Sequence, residues 1–213
     1  MKNIYSPLNV SAFYMIQRRQ RILRALLEEH FGYDLSGIKL LEAGCGNGQW
    51  LAEFQAFGIR VANLAGIELD RKRADNASSR ITGADIRTGN AAELPWDDDS
   101  FDIVFQSTVF TSIPDEEVRQ KAAAEMMRVC RRDGLILWYD FTYNSPSNPD
   151  VRGIGRGEIR ALFKPWNCKF HSVTLAPPVA RRVTPVSWLF SEILETFCPF
   201  LRTHVIARIT PPS

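Results

Sequence analysis

The decapeptide KLLEAGCGNG, residues 39–48, sets one carboxylate, Glu42, ahead of three glycines, Gly44, Gly46 and Gly48. Glycine is needed where the backbone takes a positive φ or where a ligand must approach it closely. In an open α/β sheet, a turn of this kind between strand and helix holds a ligand at the carboxyl ends of the strands. The spacing is E-x-G-x-G-x-G, so the third glycine arrives one residue too early for the G-x-G-x-x-G dinucleotide fingerprint. The sign of the charge points the same way. Glu42 would repel a pyrophosphate and attract an ammonium or a sulfonium, so the corner suits a cationic ligand. A second carboxylate, Glu68, follows Gly48 by twenty residues at the end of GIE in GIELD, where it can accept from both hydroxyls of a ribose.

Chemistry elsewhere in the chain is thinner. The histidines (His30, His171, His204) and cysteines (Cys45, Cys130, Cys168, Cys198) share no metal-ligand spacing, so no metal is expected. Without a CxxC pair, the cysteines read as reduced thiols of a cytoplasmic protein. Tyr143 and His171 are the candidates for a general base, each against the plainer reading of a hydrogen-bonded or surface side chain. The loop YNSPSNPDVRGI and the pair Arg181–Arg182 offer groups that could hydrogen-bond a sugar or a phosphate.

The elements that must position these residues follow from patterning. A chain of 213 residues suits one domain, and 45% hydrophobic with 23% charged residues is ordinary for a globular fold. No apolar run reaches the roughly 18–20 residues of a membrane span, and MKNIYSPLNV lacks the apolar core of a secretion signal. The net charge is +2, but from residue 151 onward nine basic residues face three acidic ones. That excess is either a solvated basic surface or a match for an acceptor carrying phosphate or carboxylate.

Ser11 is expected to cap a helix to about His30, with a stripe of Ala12, Phe13, Ile16, Leu23, Leu26 and Leu27 and a stop at Gly32. Strands are expected at 39–43, 61–67, 101–105 and 134–140, and helices at 48–57, 71–79 and 114–130. This alternation implies a parallel sheet covered on both faces. Beyond it come a loop at 142–155, a helix at 156–163, a strand at 169–175, an apolar helix opened by Pro185 and running to about Phe200, and a last strand at 204–209. The apolar helix VSWLFSEILETFCPFL reads first as core; an apolar acceptor pocket, a dimer face and a membrane-surface contact through 185–200 are the other readings.

Four stretches in order, KLLEAGCGNGQWL, GIELD, GNAAELPWDDDSFDIVFQSTVF and the 115–141 stretch ending RRDGLILWYDF, resemble the class I S-adenosylmethionine-dependent methyltransferases, especially the subgroup with the ubiquinone and menaquinone methyltransferases. The resemblance covers roughly residues 35–141. It implies a single α/β domain with a Rossmann-like, seven-stranded, mostly parallel sheet, helices on both faces and the last strand antiparallel. Residues 1–34 would be a helical lid, 35–141 the cofactor-binding core, and 142–213 the acceptor side. It further implies that Glu42, Gly44 and Gly46 line the methionine end of S-adenosylmethionine, with Gln106 reaching the same portion. Glu68 would hold the ribose and Leu69 would pack on adenine. Asn90, standing where the family usually has Asp in G-D-A-x-x-L-P, would accept from the adenine amino group, and the Ala91 N–H would meet a ring nitrogen. Tyr5, Tyr14, Arg18 and Arg19 could fold over the cofactor, or Tyr14 could be packed and the arginines solvated. The family often has a histidine or an aromatic pair just after the fourth strand; here Ser107–Ser112 contains no histidine, which leaves a base from that loop in doubt.

The expected activity is methyl transfer to a small-molecule, glycan or lipid-linked acceptor, with O- or N-methylation favoured, by a monomer or homodimer. The alternative is a non-catalytic S-adenosylmethionine-binding regulator or scaffold. A nicotinamide oxidoreductase is disfavoured by the glycine spacing and by Glu42. Nucleic acid is not expected as a partner, because no basic stripe with interleaved aromatics is present.

Overall fold

The computed structural model describes residues 6–144 and 152–212. Tyr5 and the middle of the loop expected at 142–155 lie outside the described residues. One sheet organises the chain, in the order β3-β2-β1-β4-β5-β7-β6. Its strands are β1 (Leu40–Ala43), β2 (Leu64–Glu68), β3 (Asp85–Thr88), β4 (Phe101–Ser107), β5 (Cys130–Phe141), β6 (Asn167–Leu175) and β7 (Arg202–Thr210). The β1–β5 pairings are parallel, and β7 runs antiparallel to both β5 and β6. The seven-stranded sheet with an antiparallel last strand agrees with expectation. β6 and β7 complete the sheet begun by β1–β5, so residues 152–212 are built into the same layer as the core.

The central strands are apolar on both faces because helices cover both. Leu41, Val104, Ile136 and Trp138 pack against Met126 of α4 (Glu116–Val129) on one side. Leu40, Phe105 and Leu137 meet Leu51 and Phe54 of α2 (Gln49–Ala56), together with Leu23, Leu26 and Leu27 of α1 (Val10–Phe31), on the other. Each such side chain contributes roughly 1.5–3 kcal/mol by leaving water.

Several boundaries differ from the sequence reading, for identifiable reasons. α1 is capped by Asn9, not Ser11: the Asn9 Oδ1 accepts from the N–H groups of Ser11 and Ala12 at 3.0 and 3.2 Å. The segment 61–67 starts as a short 3₁₀ turn, and β2 begins only at Leu64. β3, with sequence DIRT, had no alternation to betray it; it is held by its pairing to β2. The helix expected at 185–200 is present but shorter at both ends, as α7 (Trp188–Phe197), and a separate short helix precedes it. Pro177 opens α6 (Pro177–Val183), the turn at Pro185 breaks the run, and α7 starts at the Ser187 hydroxyl, which accepts from the Phe190 N–H at 3.1 Å. Pro199 ends α7 by pushing the preceding residue out of the helical region, and Cys198 has φ −116° and ψ 70°. The remaining helices are α3 (Arg71–Arg80) and α5 (Arg156–Leu162).

Candidate functional site

The first turn of the sheet, between β1 and α2, is shaped by backbone that side chains rarely allow. Gly44 has φ 74°, and a Cβ there would lie 2.3 Å from the Val109 Cγ2. Gly46 has φ 54°, and a Cβ there would lie 2.8 Å from a terminal nitrogen of Arg73. The turn is fixed from beneath: the N–H groups of Gly44 and Cys45 both donate to the Ile67 carbonyl, at 2.8 and 2.9 Å. The glycines thus let the backbone run between the ends of β2 and β4 in close contact with the Val109 and Arg73 side chains.

Two carboxylates border the crevice at this turn in different states. Glu68 ends β2, and its Oε2 accepts from the Gly46 N–H at 2.8 Å while Oε1 accepts from the Asp70 N–H at 3.1 Å. Arg73 of α3 lies 3.4 Å from the same Oε1. A carboxylate offers about four acceptor positions, so Glu68 keeps room for further donors such as vicinal hydroxyls. Glu42, in β1, is 1% exposed and its Oε2 has no hydrogen-bond partner. Burial, reinforced by the nearby Glu53 charge, pushes its pKa well above the usual carboxylate value. A buried acceptor without a donor costs free energy unless a ligand supplies one. On neighbouring β4, Gln106 is fully buried; its Oε1 accepts from the Val109 N–H at 3.1 Å, while its Nε2 donor is also unpartnered. One orphaned acceptor and one orphaned donor at adjacent strand ends fit a ligand bearing both an ammonium and a carboxylate.

The rim beyond Glu68 is open. Leu69 is 74% exposed, and Asn90 follows β3 with its Oδ1 already accepting from the Ala92 N–H at 3.0 Å. That bond spends one lone pair of the Asn90 carbonyl on its own turn. Ala91 is half-buried beside it.

α1 runs along β6 and β7 on the α2 side of the sheet, with Arg19 close to the Tyr139 ring near the end of β5. The Arg19 guanidinium lies 4.1 Å above the Trp50 ring and pairs with Glu53 at 2.7 Å, and its Nε is a further buried donor without a partner. Tyr14 does something else. It is wholly buried, its hydroxyl donates to the Glu195 Oε2 at 2.6 Å, and its ring meets Trp188 edge-on. Burial and the Glu195 carboxylate raise its pKa. Tyr14 therefore ties α1 to α7 and does not stand over the crevice. Arg18 joins the same cluster, 3.3 Å from Glu195.

The two candidates for a base are not brought together. Tyr143 is exposed, two residues past β5. His171 sits mid-strand in β6 among the charges of Glu29, Arg208 and Lys169, and burial lowers its pKa. Glu29 is in the last turn of α1, so His171 lies away from the carboxyl ends of the strands. The histidine that does reach the end of β5 is His204, which patterning did not single out. It pairs across the ladder with Phe141, stacks on the Tyr139 ring at 5.2 Å, and is driven by burial to a pKa of about 4. Its signal was the alternation of THVIARI, which sets His204 and Ile206 on one face. Asp140, on the other face, accepts from the Thr111 hydroxyl at 2.9 Å, and burial raises its pKa to about 7. Among the described residues no group of His, Cys, Asp and Glu could hold a metal.

Residues 41–138 match the family described as Methyltransferase domain. The chain is 30% identical over 172 residues to the 27-O-demethylrifamycin SV methyltransferase of Amycolatopsis mediterranei, spanning 72% of this chain and 60% of that one. It is 32% identical over 117 residues to the phthiotriol/phenolphthiotriol dimycocerosates methyltransferase 1 of Mycobacterium ulcerans, spanning 54% and 41%. The chain thus spans about half the length of the curated relatives it matches. The fold is similar to that of the geranyl diphosphate C-methyltransferase of Streptomyces coelicolor, with a TM-score of 0.65 at 14% identity over 90% of this chain and 77% of that one.

Proposed function

From the methyltransferase-family match over residues 41–138, we propose that this chain transfers a methyl group from S-adenosylmethionine to a small-molecule, glycan or lipid-linked acceptor, at oxygen or nitrogen. The observation that carries the proposal is the unpartnered Glu42 Oε2, buried above a glycine turn. A buried carboxylate oxygen without a donor calls for a cation or another donor, and the cofactor has one in its α-ammonium. Gln106 Nε2 complements its carboxylate, Glu68 its ribose hydroxyls, and Leu69, Asn90 and Ala91 flank its adenine. When bound, the cofactor supplies a methyl group already activated by positive sulfur.

The chain's own residues bind, orient and shield. Arg19 of α1 lies on the Trp50 ring of α2, and this pair would limit water at the reacting centre. Holding the acceptor in line over the ends of β4 and β5 can lower the barrier by about 7–11 kcal/mol. A hydroxyl or amine acceptor held there would give up its proton to water or to a nearby base. His204, its pKa pushed down to about 4 by burial, is a weak proton acceptor and Asp140 is engaged by Thr111, so an acceptor that is already a good nucleophile suits this site best. The names of the two relatives, one acting on a rifamycin precursor and one on phthiotriol dimycocerosates, support a small-molecule or lipid acceptor. The scarcity of a free base equally suits a second reading, a cofactor-binding regulator without turnover.

Calorimetry with S-adenosylhomocysteine and with NADH tests the reading. We expect micromolar binding of the first and none of the second. Glu68→Ala should weaken binding at least tenfold, about 1.4 kcal/mol, through loss of charge-assisted hydrogen bonds. Unchanged affinity in a folded Glu68→Ala variant removes that residue from the site, and an absence of any S-adenosylhomocysteine binding removes the proposal. Methyl transfer to any member of an acceptor panel separates the enzyme from the regulator.

A further inference from the structure

Nine of the twelve exposed large hydrophobic side chains among the described residues lie in two segments that pack together. Six are in the second: Val186, Leu189, Phe190, Ile193, Phe197 and Phe200. On α7, Leu189, Ile193 and Phe197 recur every four residues and Phe190 lies beside them, so they form one face. Leu189 is 67% and Phe197 76% exposed, although α7 is long enough to have turned them inward. The other three, Leu8, Val10 and Phe13, stand at the start of α1, and the Phe13 ring meets Trp188 of α7 with centroids 6.1 Å apart. The residues α7 buries fully are polar, Ser191 and Glu195, beside the partly buried Trp188 and Leu194. Glu195 is buried against Tyr14 and Arg18, and Glu192 faces Arg21 of α1 at 4.0 Å. This inverts the usual amphipathic arrangement, in which the apolar stripe is the hidden one.

The exposed charge around the patch is mostly positive, Glu192 being the acidic side chain of α7 that is partly exposed. The sequence holds no Asp or Glu before Glu28, and none from Pro177 to Ser191, where Arg181 and Arg182 close the last turn of α6. Both arginines are exposed beside the turn that carries Val186. An apolar face with a rim rich in cations suits an interface between hydrocarbon and anionic headgroups. A second copy of the same face would set cations against cations.

We propose that the α1 start and α7 form a docking surface for the headgroup region of an anionic lipid bilayer. It needs no step of the methyl-transfer reading. It does place the lipid near the site, since Phe13 and Arg19 are six residues apart on α1, about 9 Å along its axis. A lipid-dissolved acceptor could then reach the crevice without crossing water.

Co-sedimentation with vesicles tests the proposal in the absence of cofactor. We expect at least tenfold more protein to pellet with phosphatidylglycerol-containing vesicles than with phosphatidylcholine alone. Raising the salt to about 0.5 M should reduce that preference by screening. The double variant Leu189→Ser/Phe197→Ser removes two exposed side chains, so it should fold, keep its affinity for S-adenosylhomocysteine and lose tenfold or more of the vesicle binding. Arg182→Glu should lower binding to anionic vesicles selectively. Failure to pellet with anionic vesicles, or equal pelleting of the double variant, overturns the proposal. So does a concentration-dependent dimer in sedimentation velocity that the double variant abolishes, which would assign the face to a second copy. Because the pelleting uses no cofactor, a chain that failed to bind S-adenosylhomocysteine could still pass this test, and the reverse.

Discussion

Replacing Glu42 by Gln separates ligand binding from folding in one substitution. The side chain is buried, one carboxylate oxygen lacks a donor, and burial raises its pKa above the reference value of 4.5. A carboxyl whose folded pKa exceeds its unfolded value contributes stability that is complete below the unfolded pKa and lost as pH rises through the folded one. At neutral pH the wild-type fold without ligand therefore carries a cost at Glu42. Glu42→Gln keeps the shape and removes the charge, so the ligand-free protein should unfold at the same or a higher temperature at neutral pH. The difference between the two proteins should shrink as pH falls towards the unfolded carboxylate value. Relief of about 1 kcal/mol corresponds to roughly 2–4 °C in a chain of this size. Cofactor binding should move the other way. Loss of one hydrogen bond to a charged group costs about 1.5–3 kcal/mol, or roughly 10- to 150-fold in Kd. Thermal unfolding with and without S-adenosylhomocysteine reads both effects, and calorimetry gives the Kd directly. A folded Glu42→Gln protein with unchanged Kd would refute the role given to the orphaned oxygen. A Glu42→Gln protein that unfolds several degrees lower without ligand would show that the carboxylate is a structural acceptor instead.

Gly44→Ala should both destabilise the fold and abolish cofactor binding, since its Cβ would lie 2.3 Å from the Val109 Cγ2 at a φ of 74°. The left-handed strain alone costs about 1–2 kcal/mol, so trimming the neighbour in Gly44→Ala/Val109→Ala should recover only part of the lost melting temperature; full recovery would mean that the clash, not the backbone, dictates glycine. His204 makes a pH prediction. Its folded pKa of about 4 lies below the unfolded 6.5, so the stability it confers is present above pH 6.5 and is lost as pH falls towards 4. His204→Phe keeps a ring on Tyr139 and should flatten that acid limb by up to about 3 kcal/mol; identical pH profiles of unfolding for the two proteins would show that His204 ionises freely in the fold.

Much of the glycine corner proposed to bind the cofactor was legible because its constraints are local. Glu42, Gly44, Gly46 and Glu68 sit at fixed offsets from strand ends, and turn geometry within a few residues makes glycine obligatory there, so order and spacing along the chain suffice to place them. The strand–helix alternation exposed the parallel sheet for the same reason: buried strands read as apolar runs whatever they pack against. β3 was illegible because DIRT borrows its conformation from the β2 ladder. The fates of Tyr14 and His204 were likewise outside the reach of periodicity. A buried tyrosine is equally consistent with a lid and with a core, and only the approach of Glu195, 181 residues away, assigns Tyr14 to the α1–α7 junction. His171 and His204 occupy similar strands, and only the antiparallel register of β7 carries one of them to the end of β5 and leaves the other mid-sheet. The outward turn of α7 was decided last of all. Its sequence is apolar enough for a core helix, but Glu195 found Tyr14 and Arg18 on α1, and satisfying that buried charge fixed which face met the protein and which met the surroundings.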